Sequence, residues 1–146
     1  MGQGTKAFDP AMCVFTLAGI EIKGWAEGTK LMATFPELFN MKVGLDGEVA
    51  RGKTNNKTSL WKLSLMETSE SNDVLSNIFL ADDGAPAGTI VPMFYKNING
   101  TTLITAASAW IVGWPEMGVE AEPGAREWTV QCGETIVFIG GQASLA

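Results

Sequence analysis

The sharpest chemical pattern in this 146-residue sequence is Gly47-Glu48-Val49-Ala50-Arg51-Gly52-Lys53-Thr54, which satisfies G-x-x-x-x-G-K-[ST]. A phosphate-cradling loop of that type needs a buried strand before it and a helix starting at the Lys-Thr pair, whose free N–H groups hold the anion. Here Thr54-Asn55-Asn56-Lys57-Thr58-Ser59 follows, which turns and then enters an alternating run. The segment therefore reads as a long hairpin loop, with no cofactor to bind. Glu116, Glu120 and Glu122 cluster between Gly113 and Ala125, and Asp82-Asp83 closes a helical pattern. Carboxylate pairs can serve as acid and base or hold a divalent ion, but neither group has calcium-loop spacing, so both read as solvated surface.

Histidine is absent, which removes Ser-His-Asp and Cys-His catalysis and His-ligated zinc together. Cys13 and Cys132 stand far apart in apolar runs and read as buried free thiols, without metal-ligand spacing. Trp61, Trp110 and Trp128 fall on three different strand patterns, and core packing or subunit contact explains them better than a ligand platform. We expect no enzyme, no metal and no cofactor.

The elements that would carry these residues are nearly all strands and turns. Lys57–Met66 alternates for ten residues, with Ser59, Trp61, Leu63 and Leu65 on one face. Shorter strand patterns occupy Met12–Ala18, Ile20–Lys23, Thr29–Phe35 and Phe39–Val43, the last closed by Gly44 and Asp46-Gly47. Thr89–Tyr95 and Thr101–Val112 flank an Asn99-Gly100 hairpin signal, and Arg126–Cys132 with Glu134–Ile139 form a last hairpin around Gly133. One segment departs: Val74, Leu75, Ile78 and Phe79 have helical spacing behind a Ser cap, with Glu70 and Asp73 in the first turn. The expected fold is mainly β, an antiparallel β-sandwich or barrel with one short flanking α-helix over about residues 70–81 and a long hairpin loop. Residues 1–146 form one domain, with a short N-terminal arm over about 1–11.

Hydrophobic residues make up 46% and charged residues 18%, a globular balance. The net charge of −6 argues against a nucleic-acid or anionic-membrane surface, where a basic face is the footprint. The charge is uneven. Lys42, Arg51, Lys53, Lys57 and Lys62 stand against Asp46 and Glu48, a local surplus of three cations, which leaves −9 on the rest of the chain. A basic loop on an acidic body invites self-association of unlike surfaces. The start MGQGTKAFDP lacks an apolar core and no apolar run reaches 18 residues, so we expect folding in the cytoplasm. Asn56-Lys57-Thr58 and Asn99-Gly100-Thr101 are then chance sequons.

Five segments together resemble the tail-tube subunits of contractile-tailed phages: Ala7-Phe8-Asp9-Pro10; Gly24-Trp25-Ala26-Glu27-Gly28-Thr29; Val43–Arg51; Leu65–Leu75; and Asn97–Thr102 with Arg126-Glu127-Trp128. The likeness runs nearly end to end in the same order, with Glu70 standing where that family commonly has proline. Gly52-Lys53 lies outside the shared pattern. The resemblance implies hexameric rings stacked into a tube, related to the type VI secretion tube. It further implies double-stranded DNA passing through the lumen without specific binding, and sheath, baseplate and tail-terminator proteins as partners. The location it implies is the virion tail, after assembly in the host cytoplasm and without a membrane. Within such a tube, Asp46, Glu48, Arg51, Lys53 and Lys57 are candidate contacts toward Glu116, Glu120 and Glu122 of a neighbour. A monomeric β-sandwich binding module of a tail or baseplate shares the strand pattern and is the competing reading. An NTP-dependent enzyme rests on Gly47–Thr54 alone.

Overall fold

The computed structural model describes residues 9–28 and 30–141, so the outer part of the expected arm (1–8) and Thr29 lie outside the described residues. Asp9 caps a 3₁₀ turn over Pro10–Met12 by accepting the Ala11 N–H. The strands are β1 (Cys13–Leu17), β2 (Ile20–Glu21), β3 (Leu31–Thr34), β4 (Phe39–Val43), β5 (Val49–Lys53), β6 (Ser59–Met66), β7 (Val91–Asn97), β8 (Leu103–Ile111), β9 (Ala125–Cys132) and β10 (Thr135–Phe138), with helix α1 (Ser71–Gly84) between β6 and β7. All pairings are antiparallel. The main sheet runs β2-β1-β7-β8-β9-β6-β3 with β10 also on β8, and β4-β5 is a separate two-stranded ribbon.

The sheet curls on itself. In strand order β1 and β6 are four positions apart, about 19 Å in a flat sheet. Yet the rings of Phe15 and Trp61 have centroids 5.5 Å apart, and Trp61 is equally close to Tyr95 of β7. The alternation read in β6 is the reason: Ser59, Trp61, Leu63 and Leu65 are all buried, while their neighbours face out. They meet Phe15, Leu17, Met93, Ile104, Val130 and Leu75 in one core. After β2 the chain crosses to the free edge of β6, where Trp25 bridges Leu65 and Met66 N–H donates to the Gly24 carbonyl. At the remaining seam the Lys30 ammonium donates to the Pro10 and Cys13 carbonyls, 2.7 and 2.8 Å, and lies over the Trp25 ring. Burial lowers its pKa, against the pull of nearby Cys13, Glu21 and Asp9.

Three expectations change in detail. The helix continues through Asp82-Asp83-Gly84 instead of stopping before them. Glu70, expected in the first turn behind a Ser cap, is itself the N-cap and makes no side-chain cap bond; Ser69 before it accepts the Ser71 N–H on Oγ and donates to the Lys23 carbonyl. The long hairpin loop expected over Gly47–Thr54 is mostly strand, because Val49–Lys53 pairs with Phe39–Val43 around a short turn with Gly47 at φ +85.

The hairpin expected around Gly133 does not exist. β9 and β10 are consecutive lengths of one strand course along β8, since Cys132 faces Ala109 and Thr135 faces Ala106 in one register. Gly133 N–H donates to the Ser108 carbonyl in the gap between them. Up to Cys132 the course also pairs with β6; past Thr135 it leaves β6 and stays on β8. Such a bend, with a strand changing partners, makes the corner of a barrel or sandwich.

Side chains fix that corner by a short relay. Trp61 Nε1–H donates to Ser59 Oγ at 3.0 Å, and Ser59 Oγ lies 2.8 Å from Thr135 Oγ1. The Thr135 Oγ1 also lies 3.0 Å from the Gly133 carbonyl, and with its proton there it accepts from the Ser59 hydroxyl. Replacing Thr135 by valine keeps the shape but removes a partner of the buried Ser59 hydroxyl and the donor to the Gly133 carbonyl. We expect Thr135→Val to lower the unfolding free energy in urea by about 1–3 kcal/mol, with Thr135→Ser retaining most of it. Equal losses in the two variants would show that the methyl group, not the relay, holds the corner.

Candidate functional site

The residues singled out by charge separate into two surfaces. The ribbon carries the first. Its register places Phe39 opposite Lys53, Met41 opposite Arg51 and Val43 opposite Val49. Directly opposed residues share a face, so these six side chains form a front, with Asn40, Lys42, Ala50 and Gly52 behind. The front is open to solvent: Met41 is 66% exposed, Val43 59% and Val49 60%. Arg51 lies over the Phe39 ring, 4.6 Å from its centroid. Asp46 and Glu48 sit at the turn, and the Asp46 carboxylate accepts the Glu48 N–H.

Lys53 and Gly52 thus belong to a strand ladder, and the N–H groups a phosphate cradle would use are those of an antiparallel ribbon. A Cβ at Gly52 would meet only the flexible amide end of the exposed Asn40 side chain. Thr54 ties off the ribbon's base, its N–H and Oγ1 donating to the Leu38 and Glu37 carbonyls. Lys57 lies past the ribbon, on the wall of a groove of about 480 Å³ between Phe35–Leu38 and β10. The structure therefore does not place Lys57 with Arg51 and Lys53.

The second surface is the connection from β8 to β9, residues 112–124. It exposes Trp114, Met117 and Val119, the last two by 77% and 86%, beside the solvent-facing Glu116, Glu120 and Glu122. Trp114 is held from beneath by Phe79 of α1 at 4.8 Å and by Trp128 of β9 at 6.0 Å. Trp128 in turn donates from Nε1 to Asn72 Oδ1 at 2.9 Å, and Asn72 Nδ2 donates to the Met66 carbonyl. The Arg126 guanidinium, paired with Glu67, reaches the Gly118 carbonyl at 3.4 Å. An open groove of about 370 Å³ lies among Trp114, Met117, Trp128 and this ion pair. Neither Arg51 and Lys53 nor the three glutamates form an ion pair within the described residues. The structure thus does not bring the two predicted charge groups together in one chain.

Charge counting found the acids and cations of these surfaces but missed the apolar groups between them. Trp114 and Met117 look like any loop residues until Phe79 and Trp128 arrive beneath them. The other predicted features behave as expected where the structure describes them: Cys13 and Cys132 are buried free thiols, and Trp61 and Trp128 are buried while Trp110 is partly exposed. No cluster of three or more His, Cys, Asp or Glu residues suited to a metal occurs among the described residues. No described helix is long and apolar enough to cross a membrane.

A hydrogen bond to the Gly124 backbone, then the Arg126 guanidinium, hold the Glu67 carboxyl below the ordinary glutamate range. A lowered carboxylate pKa in the folded state adds stability above the unfolded value that vanishes as pH falls through the folded value. The melting temperature should therefore drop as pH is lowered from about 5 into the acid range, and Glu67→Gln should flatten that part of the curve. An unchanged acid limb in the variant would remove the pair from the account of how this connection is anchored.

No protein-family model matches the chain. Over 132 residues it is 28% identical to structural protein ORF10 of Pseudomonas phage KPP10, covering 90% of this chain and 74% of that one. Its fold is similar to that of the anti-feeding prophage tube-terminating cap, with TM-score 0.62, 8% identity and 92% of both chains covered. It is also similar to a chain of the extended PVC sheath–tube complex, an extracellular contractile injection system, at TM-score 0.56 and 9% identity over 86% of this chain and 87% of that one. The PVC sheath/tube terminator gives TM-score 0.54 at 9% identity, over 92% of this chain and 99% of that one. These structural likenesses are likenesses of fold.

Proposed function

We propose that this chain, which has the fold of tube and terminator components of contractile injection systems and is similar in sequence to a phage structural protein, is a tail-tube subunit. In this reading hexameric rings stack into a hollow conduit in the virion tail, within a sheath and between baseplate and terminator, and double-stranded DNA passes through it. The observation that carries the reading is apolar surface left outside the core on strands. Beyond the ribbon, β10 exposes Ile136 by 72% and Phe138 by 61%, and Ile139 follows at 70%. An exposed, uncharged edge strand is an aggregation hazard in a monomer and is removed when neighbouring sheets close on it. Assembly supplies that closure.

Arg51 and Lys53 act as inter-subunit contacts with Glu116, Glu120 and Glu122 as their counterparts; Asp46, Glu48 and Lys57 are further candidate contacts. No residue has a catalytic role. The lumen wall is polar and net negative, consistent with the −9 carried outside Lys42–Lys62. Repulsion over roughly one Debye length, ~8 Å at physiological salt, keeps the duplex off the wall without opposing its passage over long range.

A terminating ring is the second reading, favoured by the likeness to a tube-terminating cap. Negative-stain microscopy of the purified protein separates the alternatives. Tubes of stacked rings are expected for a tube subunit, and rings that never stack indicate a terminator. A protein that stays monomeric near millimolar concentration would be a binding module, and the tube reading would fall. In assembled particles, duplex DNA retention should be weak and nearly independent of salt; strong, salt-sensitive retention would mean a basic wall that holds DNA.

A further inference from the structure

The two surfaces lie at opposite ends of one strand. The ribbon returns to the body through 54–58 directly into the Ser59 end of β6, whereas the 112–124 connection is anchored at the other end, where Met66 faces Ala125 and Glu67 pairs with Arg126. Eight residues of β6 separate them by about 24 Å. Their chemistry is complementary. The ribbon front offers Met41, Val43 and Val49 with the cations Arg51 and Lys53, which make no ion pair among the described residues. The connection offers Trp114, Met117 and Val119 with Glu116, Glu120 and Glu122, which make no ion pair among the described residues.

We propose that the ribbon front of one copy seats on the Trp114–Val119 surface of a second copy, head to tail along the direction of β6. The proposal rests on the assembly reading above and specifies its partner surfaces. A two-stranded ribbon is marginal alone in water, and both strands of this one are exposed, so its apolar front gains cover by docking. Contact between two different patches of the same chain is heterologous, and it propagates from copy to copy. The charges bring the surfaces together and fix register; the apolar side chains hold them. Only front residues take part. Lys42, on the back of the ribbon, and Lys57, beside the β10 groove, do not.

Charge exchange tests the pairing. The double variants R51E/K53E and E116K/E120K should each raise the concentration needed for assembly by about tenfold or more, and Lys42→Glu should leave it unchanged. Combining both double variants in one chain should restore assembly. Circular dichroism confirms that each variant is folded. As a second measurement, Met41→Cys with Met117→Cys in one chain should give a disulfide ladder under oxidation, since Cys13 and Cys132 are buried. A mixture of the two single-cysteine variants should give cross-linked dimers only. A ladder without tubes in the microscope supports the docking and removes the tube reading. Tubes that form without cross-linking, and that ignore both reversals or gain nothing from their combination, overturn the docking and leave the tube reading standing.

Discussion

The curl of the sheet depends on one strand course dropping a partner between Cys132 and Thr135. Below that point the strand is hydrogen-bonded to β6, above it only to β8, so two flat ladders meet at an angle and the core has walls on more than one side. The relay from Trp61 through Ser59 and Thr135 to the Gly133 carbonyl couples the bend to the largest buried side chain. Trp61 can reach Phe15 and Tyr95 across the interior because the sheet has turned there. The polar groups of the relay are spent internally.

Outside this core the chain places apolar groups where no core can reach them. The ribbon front, β10 and the Trp114–Val119 surface carry side chains that a monomer would hide. Trp114 is not a stray exposed aromatic; Phe79, Trp128, Asn72 and the Glu67–Arg126 pair form a stack beneath it that sets its position before anything binds. The leading segment of α1 therefore has a double task. Ser69 and Ser71 stitch the helix start to the backbone of Lys23, and Asn72 supports the tryptophan below the exposed surface.

The strands were legible where alternation coincided with burial, as in β6, whose four inward residues are all buried, and in β8, where the Asn99-Gly100 turn marks its start. Legibility failed where pairing is set by distant residues. Gly133 between two short apolar runs has every local mark of a hairpin; only the register of β8 shows that the chain goes straight on. β5 was hidden for another reason: Arg51, Gly52 and Lys53 have weak strand preference, and its order comes from the ladder to β4. The charges of the candidate site could be counted in the sequence. Their division into front, back and groove could not, because a one-residue change of register would exchange the faces.

The order in which these parts mature along the chain has a consequence. The ribbon is local: its strands are joined by a five-residue turn, and contacts of such short sequence separation close quickly. The opposite surface is slow, because Trp128 and Arg126 reach Asn72 and Glu67 only after β9 has found β6 across more than fifty residues. A half-folded chain thus has its arm before it has a seat for the next arm. In a head-to-tail assembly such a chain can attach once and then offers nothing to its successor, so slow closure at the β6–β9 pairing would act as a brake on growth.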